Sequence, residues 1–144
     1  NKAIFSIGNK LYQTDFTLAG TEMLDSTTAL AVNSVSGDEN HVRVNKADKS
    51  YIYYDINSAG DAEFLTSLKS AVRSYINLSG GKLFSDAKNI YYKPNGQSVK
   101  TLESVVDKEQ FIIDVMHKVG NYIFVSVLDN SRQSIYKIKI SDIQ

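Results

Sequence analysis

Two clusters of tyrosine, Tyr51 with Tyr53 and Tyr91-Tyr92 beside Lys93, are the residues of this chain best suited to hold a partner. Nine tyrosines and no tryptophan make a population of flat, amphipathic rings that stack well. Alternate side chains of an extended strand point to opposite faces. If Ile52, Tyr54 and Ile56 face inward, Tyr51, Tyr53 and Asp55 face the other way. Three roles are open to such rings. They form the rim of a core under a covering element, or they anchor a protein partner, where Tyr is enriched. Alternatively they stack the bases of a single nucleic-acid strand, with Lys49, Lys93 and Lys100 on its phosphates.

Other chemistry is sparser. Asp55-Ile56-Asn57-Ser58-Ala59-Gly60-Asp61 begins like a calcium loop, with oxygen ligands first and third and glycine sixth. Ala59 at the fifth place has no side-chain oxygen. Thr66 stands at the twelfth, where a bidentate Glu is needed, so the stretch reads as a strand exit and helix cap. The two imidazoles, His41 and His117, would need carboxylates such as Asp38, Glu39 or Asp114 to hold a metal. Ser79-Gly80-Gly81-Lys82 follows an expected helix, whereas a phosphate-cradling loop must precede one. Asn77-Leu78-Ser79 is a glycosylation sequon, relevant only outside the cytosol. No metal, cofactor or catalytic set is expected from these patterns.

Composition narrows the classes. Sixteen basic side chains balance sixteen acidic ones, and the lysines are interleaved with aspartates. A duplex-DNA binder draws most of its affinity from phosphate contacts and carries a basic excess, so that class is disfavoured. With no cysteine, disulfides and thiolate chemistry are excluded. The longest apolar runs fall far short of the ~20 residues a membrane-spanning helix requires. No charged and apolar leader is visible, and because the chain begins at Asn1 a removed one stays open; the location is left unknown, with cytoplasmic or virion favoured over secreted.

The elements that would position the tyrosines are mostly strands. Ala3 to Ile7 and Lys10 to Thr14 flank Gly8-Asn9, a two-residue hairpin signal. Thr28 to Val35, His41 to Asn45 and Tyr51 to Ile56 are rich in β-branched and aromatic residues. Asp61 to Asn77 reads differently. Phe64, Leu65, Leu68, Ala71, Val72, Tyr75 and Ile76 recur at three and four residues, the spacing of one helix face. Ser58 and Asp61 would cap this helix, and Gly80-Gly81 would stop it. Further strands are expected at Asn89 to Lys93, Gln97 to Lys100, Tyr122 to Val127 and Ser134 to Ile140. Gln110 to Val119 fits either a helix capped by Asp107 or a strand, and the hairpin turns after it favour the strand.

Ala3 to Ile56 and Asn89 to Ile140 share a rhythm of hairpin followed by meander when overlaid at an offset of about 82 to 87 residues. The meander from Phe111 to Ile143 is similar in rhythm to SH3-like barrels. Thr28 to Asn77, strands then helix, looks like the ββββα unit of single-strand-binding transcription coactivators. Each resemblance implies shape, not activity.

The expected fold is therefore α+β and strand-dominated, with two similar antiparallel β units joined by one central amphipathic helix. Each unit would be a hairpin plus meander, closed as an SH3-like barrel or left as an open sheet. The β units would span 1–57 and 82–144 with helix and cap at 58–81, either as separate bodies or as one compact domain. The expected function is non-enzymatic: a soluble structural or protein-interaction protein, a small subunit of a larger assembly such as a phage virion or tail. Its partner would be another protein or a second copy, with no membrane. The rival is a single-stranded nucleic-acid binder. In either case the expected contacts are Tyr51, Tyr53, Tyr91, Tyr92 and Lys93.

Overall fold

A computed structural model describes residues 2–25, 32–37, 40–102, 110–130 and 132–143. They form fourteen strands in four antiparallel sheets. β1 (Ala3–Ile7), β2 (Lys10–Thr14) and β3 (Thr21–Asp25) make the first sheet. β4 (Val32–Gly37), β5 (His41–Lys46), β6 (Tyr51–Ile56) and β7 (Ala62–Leu68) make the second. The third contains β8 (Ser74–Leu78), β9 (Gly81–Ser85), β10 (Ile90–Pro94) and β11 (Lys100–Thr101). The last is β12 (Ile112–Val119), β13 (Tyr122–Asp129) and β14 (Arg132–Lys139). Every sheet is a meander in which strands adjacent in sequence are paired.

The central helix is absent. Among the described residues the only helical element is a single 3-10 turn, Ile140–Asp142, so the fold is nearly all β rather than α+β. The stretch expected to coil is instead β7, a short loop and β8. Its Thr, Val, Tyr, Ile and Ser residues are poor helix formers, and Ser and Thr compete for the helix's own backbone groups. Antiparallel pairing of β7 with β6, from Ile56↔Ala62 to Tyr51↔Leu68, satisfies that backbone instead. Phe64, which would have led the helix's buried face, is 56% exposed. Ser58 and Asp61 sit in the β6–β7 hairpin, where Asn57 Oδ1 accepts from the Ala59 and Asp61 amides at 2.9 Å. Gly80 turns β8 into β9 and Gly81 opens β9, so neither caps a helix. The ββββα likeness falls with the helix. β12 is extended, as the hairpin argument favoured. Residues 28–31 of the expected strand, together with Asp38, Glu39 and Asp107, lie outside the described residues.

The chain divides into two compact units, Asn1–Ser70 and Ala71–Gln144. Their sheets repeat, but in a different phase from the one the hairpins suggested. β8 starts 71 residues after β1, and the same separation holds for β9 after β2, β12 after β5 and β13 after β6. The β10–β3 and β14–β7 separations are 69 and 70. Gly8-Asn9-Lys10-Leu11-Tyr12 and Gly80-Gly81-Lys82-Leu83-Phe84, one residue further apart at an offset of 72, are the clearest sequence trace of this repeat. Tyr51-Ile52-Tyr53 and Tyr122-Ile123-Phe124 are another.

Each unit closes a core between its two sheets. In the first, Leu11 packs with Val42, Val44, Ile52 and Tyr54. The side chain of Gln13, 1% exposed, ties the first sheet to the β6–β7 turn. Its Oε1 accepts from the Ala62 amide at 2.7 Å and its Nε2 donates to Asp61 at 3.0 Å. In the second, Leu83, Ile90 and Tyr92 meet Ile113, Met116, Ile123, Val125 and Val127. Burial of such side chains contributes ~1.5–3 kcal/mol each. Polar ties again join the sheets: the Met116 amide donates to Ser74 Oγ at 2.9 Å, and Arg73 meets Asp114 at 3.4 Å.

Candidate functional site

The tyrosines expected to bind are placed unequally. Tyr53 and Tyr92 are 7% and 2% exposed, so no flat partner reaches either ring face. Tyr51 is half-buried, stacked on Tyr53 at 6.4 Å with the Arg43 guanidinium 6.0 Å from its centroid. Tyr91 is half-buried and stacked on Phe84 at 5.3 Å. Its hydroxyl donates to Asp86 Oδ2 at 2.9 Å. The other oxygen of Asp86 accepts from the Lys88 and Asn89 amides at 2.8 and 2.7 Å, closing the β9–β10 turn. Lys93 pairs across the strands with Lys82, whose pKa is lowered by burial and then by the charge of Lys93. The expected pairs thus fall in separate sheets, and their best rings are spent on packing.

Burial, then the bond to Asp86 and its charge, push the Tyr91 phenol up to about 12. In the unfolded chain it ionises near ~10. The stability this contributes is therefore whole below pH ~10 and lost as pH rises toward ~12. Tyr91→Phe should flatten the alkaline fall in urea midpoint between about pH 9 and 12. An equally steep fall in the variant would refute this origin. Tyr75 is raised in the same sense by burial and stays in both proteins as a common background.

The calcium-like stretch has its oxygens engaged elsewhere. Asp55 is buried within β6, Asn57 accepts the turn amides, and the Asp61 carboxylate takes Lys2 and Gln13. The Lys2 bond first, then Gln13 and the Lys2 charge, hold the Asp61 carboxyl below the usual range against a burial effect of opposite sign.

A different surface has the composition of a contact face. The register Tyr122↔Lys139 and Val119↔Tyr122 sets one side of the β12–β14 sheet. Ile112, Val119, Tyr122, Leu128 and Ile135 all project from this side, at exposures of 36–70%. They are all the exposed large apolar side chains among the described residues of the second unit. The opposite side carries Ile113, Met116, Ile123, Val125 and Val127 into the core. Lys137 lies 4.5 Å over the Tyr122 ring, its stem covering apolar surface. The sequence signal for this face was Tyr122 to Leu128, an almost unbroken apolar run. Such a run means both sides of a strand are apolar.

At one end of the same sheet is a groove of 320 Å³, lined by Leu78, Ser79, Lys118, Asn121, Lys139 and Ser141. Neither Lys118 nor Lys139 has an ion-pair partner among the described residues, so its charge suits an anionic group.

No protein-family model and no curated protein matches this chain. Among solved structures, the computationally designed Ika8 protein aligns at 18% identity over 99% of this chain and 47% of its own, with a TM-score of 0.47. The chain thus spans about half the Ika8 length. The designed Ika4 protein aligns at 15% over 94% of this chain and 91% of its own, with a TM-score of 0.43. A complex of an S. cerevisiae dbp5 variant with nup159, a gle1 variant, ip6 and ADP aligns at 14%, covering 96% and 42%, with a TM-score of 0.36. At these scores the likenesses support no conclusion about activity.

Proposed function

We propose that this chain is a non-enzymatic protein-interaction module, one component of a larger assembly, and that the outer side of the β12–β14 sheet is its contact face. The observation that carries the reading is the convergence of Ile112, Val119, Tyr122, Leu128 and Ile135 on one side of one sheet. Scattered apolar side chains need no explanation, but a set gathered on one side of one sheet, even with His117, Ser126, Gln133 and Lys137 among them, supports an interaction surface. Its composition fits: a tyrosine among aliphatic anchors, with lysines toward the rim. β14 adds an eight-residue edge whose far side pairs with no strand among the described residues.

The test is to pan a displayed library of small folded domains against the immobilised chain, then compare Ile135→Lys with Phe64→Lys. Both positions are exposed, so Ile135→Lys should change stability by less than ~0.5 kcal/mol, and Phe64→Lys by the ~0.5–1.5 kcal/mol of its edge contact with Tyr54 at 6.1 Å, with both variants staying folded. Binders should weaken by roughly 30-fold with Ile135→Lys and stay unchanged with Phe64→Lys. Binders indifferent to Ile135 would place the contact elsewhere.

A further inference from the structure

We propose that an extended acidic segment of a partner protein adds to β14 as a further antiparallel strand, along the edge that faces away from β13. Its acidic side chains would lie on the outer side of the sheet and its apolar ones on the core side. This rests on the contact-face reading above and names the chemistry of the partner.

Strand pairing decides which backbone groups are open. Eight consecutive residues of β14 pair with β13, from Asp129↔Arg132 to Tyr122↔Lys139, with no shift of register. The Ile140 amide donates to the Asn121 carbonyl at 3.0 Å, back across the same hairpin. Backbone groups of an antiparallel strand point alternately to its two flanks. Ser134, Tyr136 and Ile138 therefore bond to β13, and Gln133, Ile135, Lys137 and Lys139 turn their N–H and C=O groups to the other edge. Among the described residues no strand takes these groups up. Proteins blunt such edges by keeping them short or bulged. The other edges follow that rule: β3, β4, β7 and β12 pair across a register shift, and β11 has two residues. β1 and β8 are regular but only five residues long. β14 is the long regular edge, guarded by its cations alone.

Those cations state what the edge accepts. β14 carries Arg132, Lys137 and Lys139 and no carboxylate, and none of the three is in an ion pair among the described residues. Lys137 and Lys139 lie on the outer side, opposite Phe124 and Tyr122. Two copies of β14 laid edge to edge would gather like charges, which is unfavourable, whereas an acidic strand sets opposite charges beside the lysines. On the core side Tyr136 and Ile138 are half-buried against the second core. Apolar side chains placed next to them would continue that core outward. The complement of this edge is thus a strand in which acidic and apolar residues alternate, held by main-chain bonds and selected by its side chains.

The probe is a short synthetic peptide alternating valine and glutamate, fluorescently labelled and titrated into the full chain. Three relatives serve as controls: one with lysine for glutamate, one N-methylated at the glutamates and one N-methylated at the valines. In antiparallel register the glutamates beside Lys137 and Lys139 turn their amides toward β14, and the valines turn theirs away. The parent and valine-methylated peptides should bind. The lysine and glutamate-methylated peptides should bind about tenfold or more weakly, and salt should weaken the parent. Lys137→Glu, checked for folding by circular dichroism, should shift preference toward the lysine peptide. Hydrogen exchange in the complex should protect the amides of Ile135, Lys137 and Lys139 and leave those of Tyr136 and Ile138 as before. No binding of the parent peptide overturns strand addition, as does equal binding of the glutamate-methylated one or protection confined to another strand. Library binders sensitive to Ile135 would survive any of these results and keep the contact face.

Discussion

Phe84→Ala is expected to destabilise the protein by about 3–5 kcal/mol, the range for emptying a fully buried aromatic site. Phe84 has no exposed surface and sits in direct register between Tyr75 and Tyr91. Its ring is 6.3 Å from the first and 5.3 Å from the second, at interplanar angles of 18° and 21°. Truncation removes both stacked contacts, each worth roughly 0.5–1.5 kcal/mol beyond area. It also leaves a void that two strand-mounted rings cannot fill without leaving register. The repeat supplies its own control in Tyr12→Ala, at the equivalent place on β2. That ring is half-buried and, among the described residues, stacked on Phe5, so about 1 kcal/mol is expected. Urea unfolding of both variants reads the difference. Equal losses would mean that burial does not distinguish the two positions.

The difference between local and long-range causes of burial decides which parts of the molecule are legible in the amino-acid order. Hairpins are, because turn chemistry is local. Gly8-Asn9 and Gly120-Asn121 each join two strands as their residues demand, and Asp86 closes its own turn with amides two and three residues on. The inward and outward alternation of β6 is legible too, with Ile52 and Tyr54 in the core. What lies over the other side of a strand is not local. Tyr53 and Asp55 point away from that core as alternation requires, yet both are buried. The false helix has a related cause. An apolar spacing of three and four arises when a bulged strand, shifted in register beside Tyr53 and Tyr54, is followed by a loop and a second strand. The spacing test counts positions and is blind to the break at residues 69–73, which Ser67 and Ser74 flank and where serine's competition for backbone groups disfavours coiling. The apolar outer side of β12–β14, proposed above as the contact face, had a signal in the near-continuous apolar run of β13, and it was masked by the more conspicuous tyrosine pairs.

Gly81→Ala should rival Phe84→Ala in cost, at about 3 kcal/mol or more, through the backbone alone. Gly81 opens β9 at φ 155° and pairs directly with Pro94 of β10. A Cβ there would lie 2.2 Å from the Lys93 carbonyl oxygen and 2.8 Å from Pro94 Cα. Both atoms belong to a paired strand, so the clash cannot be relieved by turning a side chain. β9 and β10 would have to separate at the end that anchors Leu83 and Tyr92 in the second core. Gly96→Ala isolates the collision from the dihedral cost. Gly96 also has a positive φ, 70°, but nothing lies within 4 Å of its added carbon. Its penalty should be about 1–2 kcal/mol, that of a left-handed non-glycine residue. Hydrogen exchange should show the difference in place, with amides of β9 and β10 deprotected by Gly81→Ala and unchanged by Gly96→Ala. If the two substitutions cost the same, the close approach of Lys93 is not a constraint, and the tight β9–β10 pairing described for the third sheet is wrong.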